Sequence, residues 1–119
     1  MNNEHSIADT ITVPAPAGGA DSGIPFIYGT LLAIPVTDAA AGADVAVKIE
    51  RAFVLPKLTS AVIAGGAKLH WDVSAGQFIV AAPANGDLLN CAVAIAAAGN
   101  GTTTVVAKLT PGVGSVQAA

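Results

Sequence analysis

Thirteen glycines and seven prolines cut this chain into short apolar runs, and that punctuation governs what it can fold into. A run so closely bounded by turn formers is long enough for a strand and too short for an ordinary helix. Thr10-Ile11-Thr12-Val13 is β-branched and stops at Pro14 and Pro16, Phe26-Ile27-Tyr28 stops at Gly29, and Leu31 to Val36 carries Pro35, which suits an edge or a bulge. Val45 to Ile49 alternates, Ala52 to Leu55 closes at Pro56, and Lys68 to Trp71 alternates into a hairpin-like turn, Asp72 to Gly76, that leads to Gln77–Val80. Asn85-Gly86-Asp87 and Asn100-Gly101 are further turns, followed respectively by Leu88 to Ala96 and Thr102 to Leu109. The first of these runs is nearly all apolar, the signature of a strand covered on both faces. The best helical candidate is a single turn from Thr59 to Ile63, with Ser60 as its cap and Gly65-Gly66 as its stop.

The expectation is an all-β fold, a small barrel or two-sheet sandwich of about eight short strands, with at most one helical turn near Thr59–Ile63. Residues 1–9 lack apolar periodicity and read as a flexible N-terminal arm, residues 10–110 as the β domain, and residues 111–119, opening on Pro-Gly, as a C-terminal tail. At 119 residues and 11.6 kDa there is room for one core, which needs no disulfide or metal to hold it.

The core must be built from small and branched residues, because 53% of the chain is hydrophobic but only 4% is aromatic. Charged residues amount to 11%, well below the roughly 25% of an ordinary soluble domain, so much of the surface is neutral. Such a surface suits a subunit packed among neighbours. The net charge of −3 and the scatter of Lys48, Arg51, Lys57, Lys68 and Lys108 argue against nucleic acid as a partner. The most apolar stretch, Cys91 to Ala98, is too short for a membrane helix, and Met1 to Ser6 is polar, without the basic start and apolar core of a signal peptide.

A repeat is also suggested. Leu31-Leu32 and Ala39-Ala40-Ala41-Gly42 match Leu88-Leu89 and Ala96-Ala97-Ala98-Gly99 at an offset of 57, and each set leads to a β run ending in Lys48-Ile49 or Lys108-Leu109. Gly23 to Tyr28 and Gly66 to Trp71 share a glycine, hydrophobe, aromatic pattern at an offset of 43. Duplication and chance both account for such matches in an Ala-rich chain.

Candidate chemistry is sparse. Gly19-Ala20-Asp21-Ser22-Gly23 brushes against the nucleophile segment of chymotrypsin-like proteases, but only His5 and Asp9 lie upstream to serve Ser22, and a turn is the better reading. His70 and Asp72 share a strand face and could form an acid–base pair, whereas a structural reading makes Trp71 the aromatic anchor of the core and Asp72 the opening of a turn. His5, His70 and Cys91 lack ligand spacing, so no metal is expected, and no phosphate loop or dinucleotide fingerprint calls for a cofactor. Cys91 reads as a buried small hydrophobe. No enzymatic activity is expected.

The order of segments resembles the tailed-phage capsid cement, or head decoration, proteins, a family formerly described as a domain of unknown function. The matching residues are Asp9-Thr10-Ile11-Thr12-Val13, Ser22-Gly23-Ile24-Pro25, Thr37 to Gly42 before a Val-Ala-Val strand, Phe53-Val54-Leu55-Pro56-Lys57, Ala61 to Leu69 with Trp71-Asp72, and the closing apolar strand. The resemblance implies a non-enzymatic virion protein, made in the host cytoplasm, that binds the outer surface of an assembled icosahedral head. Its implied partners are the major capsid protein, whose neighbouring subunits it would bridge, and itself, as a dimer or trimer at a capsid symmetry axis. Asn2, Asn3, Glu4, His5, Ser6 and Ile7 are the candidate capsid contacts, since an extended arm can add a strand to an exposed sheet edge. The alternative is a receptor- or carbohydrate-binding β domain, which would call for exposed aromatics such as Trp71 beside Tyr28.

Overall fold

The computed structural model describes residues 10–81 and 83–117, and among them are ten strands and no helix. In chain order the strands are β1 (Thr10–Pro14), β2 (Phe26–Tyr28), β3 (Leu31–Pro35), β4 (Asp44–Lys48), β5 (Ala52–Pro56), β6 (Lys68–Asp72), β7 (Gln77–Ile79), β8 (Leu88–Ala94), β9 (Thr104–Leu109) and β10 (Ser115–Val116). They form a two-sheet, all-β sandwich. One antiparallel sheet has the order β1-β4-β3-β2; the other runs β5-β9-β8-β6-β7, with β10 added to β8. The larger sheet curls until its outermost strands meet, where Lys57 pairs with Phe78 in a parallel bridge and the Leu58 N–H donates to Phe78 O at 2.9 Å.

Three local expectations change. The segment Thr59–Ile63 is a turn followed by extended chain, not a helical turn: Ala61 N–H reaches Leu58 O, while Ile63 exchanges two backbone bonds with Ala98 (2.8 and 2.9 Å) and has none left for a helix. β3 is covered on both faces, because Leu32 and Ile34 enter the main core and Ala33 a second, smaller one. Within β8 no residue is exposed, and the apolar run emerges only past the strand, at Ile95, Ala96 and Ala97. Finally, the segment after Thr110 carries β10, whose two residues pair with Leu88 and Leu89 and have no apolar run to announce them.

Alternation explains the cores. In β9 Val105, Ala107 and Leu109 point inward while Thr104, Val106 and Lys108 point out, and β5 opposes it residue for residue from Ala52↔Lys108 to Pro56↔Thr104. The main core gathers Leu55, Leu69, Trp71, Phe78, Leu88 and Leu109 with Leu32 and Ile34. Trp71 and Phe78 are directly opposed on β6 and β7 and meet edge to face, centroids 4.9 Å apart at 82°, which adds about 1 kcal/mol beyond their burial.

Two charged side chains, those of Lys57 and Asp87, are buried in this apolar frame. Lys57 is 2% exposed, and its Nζ donates to the carbonyls of Leu58 (2.9 Å), Thr59 (3.3 Å), Gly99 (3.2 Å) and Thr102 (3.0 Å). An ammonium has three protons, so one is shared among the four acceptors. The side chain thus ties the loop after β5 to the loop before β9, at the point where the larger sheet closes on β7. Replacing Lys57 with Ala removes these charge-assisted bonds and the buried stem, and should cost about 3 kcal/mol of unfolding free energy in a denaturant titration.

Candidate functional site

Among the described residues, Ser22, Asp72, His70 and Cys91 are each engaged in hydrogen bonds. Ser22 sits in a turn, its N–H donating to Asp38 Oδ1 (2.8 Å) and its hydroxyl to Val36 O (3.0 Å). Asp72 Oδ1 accepts from Ser74 N–H, Ser74 Oγ and Ala75 N–H at 2.9–3.2 Å, and its carbonyl accepts from Gly76 N–H, which makes it the first residue of a tight turn. His70 instead accepts a backbone hydrogen bond from Asn90. Cys91 is buried, donates weakly to Leu69 O, and burial pushes its thiol up to about 12, so it stays protonated. Among the described residues no three His, Cys, Asp or Glu side chains come together. Residues 2–7, the sequence-derived contact candidates, lie outside the described residues.

His70 is part of an irregularity in β8. Leu69 pairs with Ala92, but Trp71 pairs with Leu88, so β8 advances four residues where β6 advances two and carries two extra. Asn90 absorbs the excess with a left-handed backbone, φ 54°, and its N–H, turned out of the ladder, donates to His70 Nδ1 at 2.9 Å. The bulge also changes the neighbour of β8: Leu88 and Leu89 pair with β10, whereas Ala92 to Ala94 pair with β9. Thr110 Oγ1 donates to Asn90 O across this junction, and Gly114 passes so close over Leu89 O that no side chain fits there. Asp87, 1% exposed, holds the same end together by accepting from Val73 N–H (3.1 Å) and Ala84 N–H (2.8 Å), while its own carbonyl accepts from Gln117 N–H.

The surface offers a different kind of feature. Val54 on β5 stands directly opposite Val106 on β9, and Ile95 continues the row because its N–H donates to Val106 O in register with the β8–β9 ladder. All three are branched, apolar and outward-facing, with exposures of 64%, 37% and 55%. Ala52, Pro56 and Ala97 extend the neutral area, and the nearest ion pair is Lys108 with Glu50 at its margin (3.8 Å). Sequence reading missed this row. Alternation within β9 carries half of the signal, but the register that aligns three strands is a tertiary fact.

Trp71 is 2% exposed and Tyr28 41%, so the paired aromatic platform that a carbohydrate site would use is not formed. The feature the surface does offer is the uncharged, apolar outward row of Val54, Val106 and Ile95. From residue 5 to residue 109 the sequence matches the phage cement protein family, and the chain belongs to that family. It is a capsid-associated virion component. Comparison with curated proteins and with solved structures gives no match.

His70 supplies a pH dependence. Partial burial holds its imidazole below the ordinary histidine value, and the charge of Asp87 opposes this only in part. Nδ1 must be unprotonated to accept from Asn90, so the proton resides on Nε2. With the folded value depressed, this contribution to stability is complete above about pH 6.5 and is lost as pH falls through the folded-state value. Thermal unfolding between pH 7.5 and 5 should show that loss in the native protein, and His70→Gln, which can accept but does not titrate, should flatten it.

Proposed function

We propose that this protein binds the outer surface of an assembled phage head, bridges neighbouring major capsid protein subunits and so stabilises the shell. Membership of the cement protein family over residues 5–109 carries the reading. The surface supports it in physical terms. A chain with 11% charged residues and an outward row of Val54, Val106 and Ile95 gains from covering that surface on a partner. Each copy needs only modest affinity, because a subunit that spans two sites held at fixed separation gains effective concentration at the second.

Within this reading the Val54–Val106–Ile95 row is one contact with the shell, and Asn2 to Ile7 supply a second as an arm added to a sheet edge. Self-association as a dimer or trimer at a symmetry axis would place several such contacts around one axis. The protein is made in the host cytoplasm and joins the head after the shell has formed.

Cosedimentation of purified protein with undecorated heads of its own phage, and the heat resistance of those heads, test the proposal. Binding and a raised disruption temperature are expected; heads that neither retain the protein nor gain heat resistance would overturn it. The triple variant Val54→Thr, Val106→Thr, Ile95→Thr keeps β-branched shape on exposed positions, so its melting temperature should stay close to that of the native chain. Its affinity for heads should fall about tenfold or more, because about 1.4 kcal/mol of lost apolar contact suffices for each factor of ten.

A further inference from the structure

We infer that the chain is a tandem duplication of one four-stranded module, the first copy formed by β1 to β4 and the second by β5, β6, β8 and β9. The strand orders coincide, β1-β4-β3-β2 in one sheet and β5-β9-β8-β6 in the other. The registers coincide as well. Thr10↔Lys48 through Pro14↔Asp44 in the first copy recur as Ala52↔Lys108 through Pro56↔Thr104 in the second, offsets of 42 on one strand and 60 on the other. Phe26↔Ala33 recurs as Leu69↔Ala92, and Ile34↔Lys48 as Val93↔Lys108. β1 and β5 even share one burial pattern: exposed, half-buried, exposed, buried, exposed.

Shared strand order alone arises often in β sandwiches; shared loops do not. Ala15 N–H donates to Ala43 O, and Lys57 N–H to Thr103 O. Gly19 N–H reaches Pro16 O as Ala61 N–H reaches Leu58 O. Ala20 and Ala39 form a two-bond bridge, and so do Ile63 and Ala98. Gly23 N–H donates to Pro35 O, and Gly66 N–H to Ala94 O, the two glycines having φ of 80° and 84°. Every one of these pairs follows the same drift in numbering as the strands around it.

The structure also corrects the sequence register of the repeat. Tyr28↔Leu31 recurs as Trp71↔Leu88, which keeps the offset of 57 at the start of β8. The bulge at Asn90 then adds two residues and shifts the offset to 59. Gly42 (φ 79°) therefore corresponds to Gly101 (φ 93°), not to Gly99.

Equivalence of the frames shows which features the second copy acquired. Lys57 stands where the first copy has Ala15, and His70 stands where it has Ile27. Val54, Val106 and Ile95 occupy the places of Thr12, Ala46 and Val36, of which only Val36 is both branched and apolar, so the module does not require the full branched row there. β7, β10 and the bulge have no counterparts in β1 to β4, and all three lie in the second copy.

Thermal unfolding of full-length variants tests the inference. The two turns are exchanged at the offset of 59, by Ala40→Gly with Ala41→Asn in the first copy and by Gly99→Ala with Asn100→Ala in the second. Each exchange should leave the melting temperature within about 3 °C, since neither alters a left-handed position. Gly42→Ala and Gly101→Ala should lower it by matching amounts of about 3–6 °C, and Gly23→Ala and Gly66→Ala should match each other in the same way. The inference is overturned if either exchange unfolds the protein, or if Gly99→Ala costs as much as Gly42→Ala while Gly101→Ala is silent.

Discussion

The larger sheet depends on a lysine. Lys57 places a charge in the interior, where an unpaired ammonium would be costly, and four backbone carbonyls make that position tenable. Its backbone meanwhile bonds Thr103 on one side and pairs with Phe78 on the other. One residue therefore joins the exit of β5, the entry to β9 and the middle of β7. The curl of the sheet, and with it the enclosure of Trp71 and Phe78, follows from that junction. A hydrophobic residue could fill the space but could not direct two loops of carbonyls toward one point.

A second constraint acts at the other end of the same sheet. The two extra residues in β8 would leave a backbone donor stranded, and the His70 imidazole takes it. With the bulge in place β8 pairs with β9 over one half and β10 over the other, so six short strands are joined into one sheet. His70, Asp72, Asp87 and Ser22 all serve such roles, which is why residue types that suggest chemistry hold turns and bulges here.

What this economy leaves outside is the surface proposed to meet the shell. Side chains with charge are few, and among the outward positions of β5, β8 and β9 the branched residues Val54, Val106 and Ile95 align into a continuous row. The corresponding positions of the first four-stranded unit carry Thr12, Ala46 and Val36. A fold that tolerates threonine at a position does not by itself call for valine there, and under the proposed function contact with the shell would.

Much of the fold was legible in the chain. Glycine and proline spacing located β1 to β9, because left-handed turns and missing donors are properties of single residues. Alternation in β9 showed which side chains point inward, and the order of weak motifs pointed to the family. Tertiary structure decided the rest. The two-residue bulge at Asn90, the pairing of β10 and the turn conformation of Thr59–Ile63 depend on backbone partners distant in sequence, and no local pattern encodes a partner. Nothing in the chain sets Lys57 apart from the other scattered basic residues until the loops around Gly99 and Thr102 are folded over it. The row Val54–Val106–Ile95 exists only once three strands are in register, since a strand specifies which face a side chain occupies but not which side chain will stand beside it.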